Sequence, residues 1–441
     1  MRKMLKMSIA CAVMMGAGAV SAQADNVDIL SNVKVNGQIR ARYEMVDASD
    51  AANKPNANAL TNRLVLGVGA DMFGTDWLSA YAEMTDVRAL NNNYDDKFAG
   101  NGTETNDVVA DSEQTRLTQS YIDLKYGKTK LRVGRQIINL DNQRFVGAVD
   151  WRQMPQTFDA YTLTDNTIEN LNLTASYITQ VNRVFNQDNT VSANAATAGK
   201  YDTRSILLNA SYKVMDELKV TAYDYMIGQG TATTNGTGGS DTYGIALTGD
   251  VAVANGIKVN YRAEYAKQTD PTMENKSATG NVNVDASYYD LELGANISGI
   301  LVGAQYEVLS GDGDAAGKET AFATPLATLH AHNGWADMFL ATPTAGLVDM
   351  NLMVGYTSKE IGTAKVIYHD YTSDVGSKDW GTELDVVYTR AIPGVNNLTG
   401  MLKYANYSAD SSTKNTAFVG TNMNIDTSKF IAMLDYKFAT K

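Results

Sequence analysis

The sequence predicts an all-β fold: a transmembrane antiparallel β-barrel of about eighteen strands. Three observations predict it. Polar and apolar side chains alternate along most of the chain, the connections between alternating segments are short and long by turns, and the chain opens with an export leader.

The leader comes first. Arg2, Lys3 and Lys6 precede an apolar run from Ser8 to Val20, and Ser21–Ala24 supplies small residues for a cleavage position. This is the pattern of a secretory signal peptide over residues 1–24, leaving 25–441 as a single barrel domain. The run is shorter than the about 20 residues a membrane-spanning helix needs. Cys11 is the only cysteine, so the mature chain is expected to carry neither disulfides nor a cysteine metal site. A lipoprotein reading at Cys11 is disfavoured by the few apolar residues between it and Lys6. Removing Arg2, Lys3 and Lys6 takes the formal net charge from -12 to -15, an acidity that argues against nucleic acid as a partner. No Pro-rich or Ser-rich linker divides the chain.

The first strand segment shows the pattern that the others repeat. Val33, Val35, Ile39, Ala41, Tyr43 and Met45 share one parity, and Lys34, Asn36, Gln38, Arg40, Arg42 and Glu44 share the other. Residues two apart lie on one face of a strand, so one face is apolar and the other charged. Leu64, Leu66, Val68, Ala70 and Met72 follow suit, as do Ile206, Leu208, Ala210, Tyr212 and Val214, and then Ile257, Val259, Tyr261, Ala263 and Tyr265. Segments of this kind start near Val33, Thr61, Trp77, Gln114, Lys130, Thr157, Leu171, Thr203, Leu218, Asp241, Ile257, Val284, Ile300, Leu347, Ala364, Gly381, Leu398 and Lys429. The number is even, as closure of a bacterial antiparallel barrel requires.

Connections then sort into two kinds. Gly74–Asp76, Gly127–Thr129, Met215–Glu217, Asn255–Gly256 and Ser298–Gly299 are short and rich in turn formers. Asp47–Leu60, Arg88–Glu113, Asp141–Gln156, Gln180–Asp202 and Ser310–Gly346 are long. A barrel that begins and ends on the periplasmic side places the short turns there and the long loops outside. Tyr126, Tyr212, Tyr356, Tyr388 and Phe438 fall on the apolar parity near expected periplasmic ends, where an interfacial aromatic girdle belongs. The closing segment, Phe430 to Phe438, resembles the aromatic-terminated last strand read by outer-membrane assembly machinery, followed here by Ala439, Thr440 and Lys441. A soluble propeller or double sandwich would also alternate, but would bury its apolar faces on protein and need not alternate its loop lengths.

With the apolar parity facing lipid, the polar parity lines the lumen. Arg40, Arg42, Glu44, Glu83, Asp123, Arg132, Lys258, Arg262 and Glu264 are therefore expected inside, and so much charge calls for water. Arg132 and Arg135 fall on opposite parities; a bulge at Gly134 would turn both inward, and otherwise Arg135 lies above the lipid band. Every arginine except Arg390 lies at or before Arg262, while Asp290, Glu292, Glu307, Glu383 and Asp385 mark later strands. The expectation is one basic wall and one acidic wall, with cross-lumen pairing as the alternative. Arg144 and Arg152, in the long loop from Asp141, suit bidentate contacts with carboxylates, either of a solute or of Asp141, Asp150 and Asp159. The loops at 141–156 and 310–346 are the candidates for folding over or into the pore.

Arg132 to Leu163, "RVGRQIINLDNQRFVGAVDWRQMPQTFDAYTL", and Phe322 to Leu352, "FATPLATLHAHNGWADMFLATPTAGLVDMNL", resemble two characteristic segments of the alginate export family of outer-membrane proteins. The resemblance implies an eighteen-strand monomeric barrel with an arginine-lined pore, whose best-known member exports an anionic polysaccharide. The later strands here carry few arginines. The expected function is thus a porin passing small hydrophilic solutes in contact with outer-membrane lipid and lipopolysaccharide. A polysaccharide export channel and an adhesive surface barrel are the alternatives.

Chemistry is weakly signalled. His330, His332 and Asp337 are too loosely spaced for a zinc site and read as hydrogen-bonding groups. His369, with Ser358, Ser373 and Ser377 nearby, is the one strand histidine, without a glycine-flanked nucleophile motif. Asp312 and Asp314 in "GDGDAAG" suit Ca²⁺ only in part, because the full calcium-loop pattern is missing. No cofactor, no metal and no catalysis are expected.

Overall fold

The computed structural model describes residues 29–49, 54–98, 105–189, 197–228, 239–273, 284–312, 321–414 and 423–440. The leader, Cys11 and Asp314 lie outside these residues. Eighteen strands follow one another in the chain: β1 (Leu30–Ala48), β2 (Ala57–Met72), β3 (Leu78–Ala89), β4 (Gln114–Tyr126), β5 (Thr129–Gln136), β6 (Thr157–Asp165), β7 (Leu171–Asn182), β8 (Lys200–Met215), β9 (Leu218–Ile227), β10 (Ser240–Ala254), β11 (Ile257–Thr269), β12 (Asp285–Ile297), β13 (Ile300–Leu309), β14 (Leu347–Ser358), β15 (Gly362–Thr372), β16 (Asp379–Ala391), β17 (Leu398–Ala409) and β18 (Thr427–Ala439). Each begins within four residues of the start that the alternation predicts, because the period of two persists to the ends of the strands.

Every strand is antiparallel to its neighbours in sequence, and β1 also pairs with β18, from Asn36 opposite Ala439 to Ala48 opposite Thr427. The sheet therefore closes and has no free edge, the condition for strands to cross a bilayer. Short turns connect β4 to β5 and β12 to β13, with Gly127 at φ 60° and Gly299 at φ 99°, a conformation that side chains with a Cβ rarely adopt.

Apolar side chains cover the outside. Ile39, Leu163, Leu293, Val354 and Leu402 are all exposed there, and Tyr126, Tyr212 and Tyr356 are exposed near the turn end as the sequence predicts. Toward the loop end, a second outward row includes Tyr161 beside Tyr177, Tyr265 beside Tyr289, and Tyr306. Two aromatic rows bounding an apolar band mark a transmembrane barrel of the bacterial outer membrane.

The inner wall departs from the expected all-polar lining. Leu207, Tyr223, Tyr225, Tyr288, Tyr371, Trp380 and Tyr407 point inward in the loop-side half of β8 to β17, and they form one buried cluster with Phe145, Val146, Phe322, Leu326 and Phe339 from loops. Inward apolar residues avoid water here because loops cover them.

Candidate functional site

The strands place the predicted inner charges, and the alternation places all of them but the exposed Lys258 beside a partner. Arg40 of β1 lies 3.1 Å from Asp435 of β18. Arg42, two residues on, pairs with Glu44 at 3.1 Å and with Asp111 of the β3–β4 loop. Glu83 accepts hydrogen bonds from the Tyr81 hydroxyl, Thr118 and Gln119. Arg132 grips Asp123 through two bonds of 2.7 and 2.8 Å, and its guanidinium lies 3.6 Å over the Tyr121 ring. Arg262 holds Glu264 and reaches Asp290 at 3.3 Å. Such bidentate, charge-assisted contacts fix orientation as well as charge.

Arg135 does not join them. The β4–β5 and β5–β6 ladders run through Gly134 without a register shift, so Arg135 takes the outward parity of Val133 and Tyr161. It pairs there with Asp159 at 2.6 Å. Gly134 serves close strand approach instead of a bulge: it has φ 126°, and a Cβ would sit 2.3 Å from the Ser120 carbonyl oxygen.

The loop between β5 and β6, residues 137–156, folds into the barrel. Its middle forms a bridge between Val146 and Leu326 of the β13–β14 loop. Phe145 packs on Tyr223, Tyr225, Tyr288 and Phe322, tying it to the β9 and β12 wall. Arg144 is fully buried, with Nε 2.7 Å from Glu307 of β13 and Nη2 donating to Asn333. Burial alone would lower the Arg144 pKa, but Glu307, Tyr288 and Asp290 together outweigh it and the net shift is upward. Farther along, Asp150 meets Arg63 of β2 at 2.6 Å, Arg40 donates to the Asp150 carbonyl, and Arg42 donates to the Trp151 carbonyl. Arg152 bridges Glu44 of β1 at 3.2 Å and Asp337 at 3.5 Å. The same loop therefore reaches walls on different sides of the barrel.

The β13–β14 loop, described from residue 321, supplies the other half. Asp337 receives His330 Nδ1 at 2.7 Å and Lys429 of β18 at 2.6 Å, and despite burial these partners and Arg152 hold its carboxyl well below the ordinary range. Trp151 stacks on His330 at 4.1 Å, and Lys403 of β17 sits 4.2 Å over Trp151 and 3.9 Å over Trp335. Burial pushes both His330 and His332 down to about 3, so each is neutral at ordinary pH. They do not converge on one ligand: His330 faces Asp337 and Lys403, and His332 faces Arg144 and Glu307. Among the described residues no group of three or more metal-ligating side chains comes together.

The acidic wall is covered by this loop. Asn333 donates to Glu307 and Asp349, the Trp335 backbone N–H to Asp385, and the Ala336 N–H to Glu383. His369 is fixed between Asp349 at 2.9 Å and Asp385 at 3.7 Å on the neighbouring strands. Arg63, Lys403 and Asp435 were not singled out from sequence, although each lies on the polar parity of its strand and that parity was a sufficient signal. Asp111 and Asn333 lie in long loops, where no periodicity marks them.

A family model described as alginate export matches residues 31–423. No curated protein matches the chain. Among solved structures, OccK8 (OprE) of Pseudomonas aeruginosa is 16% identical at a TM-score of 0.68, over 94% of this chain and 100% of that one. OpdK of the same organism, solved with vanillate, is 12% identical at a TM-score of 0.68, again over 94% and 100%. OccAB4 of Acinetobacter baumannii is 14% identical at a TM-score of 0.67, over 93% of this chain and 99% of that one. At these identities the likeness is one of fold. The match across most of the eighteen-strand barrel, including both inward-folded loops, shows that the chain belongs to the alginate export family.

Proposed function

We propose that the protein is a passive outer-membrane channel for small hydrophilic solutes, constricted where the 137–156 loop meets β1 and β2. The observation that carries this reading is the inward fold of that loop, fastened at Arg144 to β13 and at Arg152 to β1. Arg40, Arg63, Asp150 and Asp435 form the charged rim of the constriction. Arg42, Glu44, Arg144 and Arg152 hold its loops, Arg262 and Glu264 stiffen the opposite wall, and Glu83, Asp123 and Arg132 line the turn-side vestibule. No chemical step is assigned, the barrel acts as a monomer, and the Phe430 to Phe438 strand is what assembly machinery engages. Vanillate, the solute solved with OpdK, gives a size class for first probes.

A polysaccharide conduit is the second reading, favoured by family membership. Pairing of the lumen arginines with carboxylates counts against it, because a polyanion track needs unpaired positive charge. Planar-bilayer recording in a salt gradient tests the first reading. Wild-type protein should conduct, and Asp150→Asn, which leaves Arg63 without its carboxylate, should shift the reversal potential toward anion selectivity. A protein that folds but passes no current overturns the channel; an unchanged potential overturns this placement of the constriction.

A further inference from the structure

On the turn side of the constriction, the inner wall of β1 to β4 encloses a cavity of about 560 Å³ lined by Lys34, Asn36, Asp71, Tyr81, Tyr121 and Asp123, among others. Its size is that of a small-molecule site, about 300–1,000 Å³. Its floor is unusual for a charged lumen. Gly67 and Gly69 stand inward on β2, opposite Glu83 and Tyr81 of β3. A Cβ on Gly67 would lie 2.1 Å from the Tyr81 hydroxyl oxygen, and one on Gly69 would lie 3.2 Å from the Tyr81 ring. The missing side chains let the Tyr81 ring lie along the wall, leaving its other face on the cavity side.

Hydrogen bonds fix that ring. The Tyr81 hydroxyl donates to Glu83 Oε2 at 2.9 Å and lies 3.1 Å from the Asn36 side-chain amide. Tyr121 stands opposite across the ladder, its centroid 5.3 Å away and tilted by 32°. Around the rings, Asn32, Asn36 and Ser79 offer both donors and acceptors. The local charge does not favour anions. Among the residues lining the cavity, Asp123 is committed to Arg132 and Asp71 stands against Lys34.

A flat π-face ringed by amide and hydroxyl groups, without net positive charge, suits a ring with apolar C–H faces and an equatorial belt of hydroxyls. We infer that this cavity is a resting site for a neutral, polyhydroxylated solute, a sugar ring seated on Tyr81. The inference rests on the channel reading for the route by which the solute arrives, but binding itself does not require conduction.

The test therefore has two arms with a neutral trisaccharide as probe. In a planar bilayer, the trisaccharide should interrupt the open-channel current in a concentration-dependent way. In detergent, titration calorimetry should give saturable binding to the folded protein. Tyr81→Ala should weaken both by roughly five- to tenfold through loss of the aromatic face. Tyr81→Phe keeps the face and should stay near wild type, and heat-resistant gel mobility shows that each variant folds. Current without interruptions, together with no binding in detergent, overturns the sugar site and leaves the channel standing. Binding in detergent without any current keeps the site and overturns the channel. Equal weakening by Tyr81→Phe and Tyr81→Ala overturns the role given to the ring face.

Discussion

His330 and His332 carry the plainest residue-scale consequence. Both are neutral because burial holds them at about 3, against 6.5 for the free side chain. His330 faces Asp337, Lys403 and Lys429, and His332 faces Arg144, Glu307 and Arg262, so neighbouring cations reinforce burial and the facing carboxylates oppose it. With the folded value below the unfolded one, the released loop binds more protons between the two values than the docked loop does. Docking is therefore at full strength above about pH 6.5 and weakens as pH falls through the window toward about 3. Asp337 adds loss only at the acid end, because its carboxyl is held well below 3.8. Protease sensitivity of the 321–346 segment should rise across that window, and His330→Gln with His332→Gln should flatten the rise. Sensitivity that is constant over the window in the wild type would refute the assignment.

At the scale of elements, the seam between β1 and β18 depends on one glycine. Gly37 stands opposite Phe438, and a Cβ there would lie 2.3 Å from the ring. The terminal aromatic thus packs over bare backbone on the outward face, where a branched side chain would displace it. Gly37→Val should lower the yield of heat-resistant barrel, and Gly37→Ala should do so less; equal yields for all three proteins would show that the ring's seat is dispensable. The strands themselves were legible because the period of two survives from Leu30 to Ala439. Inward aromatics were not. In β9 the outward parity carries Asp224, between Leu208 and Tyr243, while Tyr223 and Tyr225 point in. Alternation divides a strand into two faces but does not say that a distant loop will cover one of them. The two parities of Arg132 and Arg135 were equally visible, yet Gly134 admits a bulge or a close approach, and only the register of β4 decides between them.

For the whole molecule, the expected opposition of a basic and an acidic wall turns into a three-part arrangement. Glu307, Asp349, Glu383 and Asp385 are taken up by backbone and side-chain donors of the β13–β14 loop, and Arg144 brings positive charge to that side. Charge that is bonded in this way contributes little field to an open passage, which in the proposed channel leaves selectivity to the rim where Asp150, half exposed, meets Arg63. Among the fastenings of the 137–156 loop that hold that rim, Arg144 and Arg152 supply the buried ion pairs. Losing Arg144 strands the Glu307 carboxylate, a change that costs on the order of 3–5 kcal/mol for a buried pair. Losing Arg152 frees Glu44 and Asp337 from their bridge. Either substitution alone leaves the loop held by the other buried ion pair. Arg144→Ala with Arg152→Ala should release it, giving a larger and noisier single-channel conductance than the two single variants add up to. Arg144→Ala with Glu307→Gln should recover part of the quiet state, since no unpaired charge is then left in the wall. If the double arginine variant folds with conductance, noise and selectivity all unchanged, the loop joins strands and does not gate or narrow the pore.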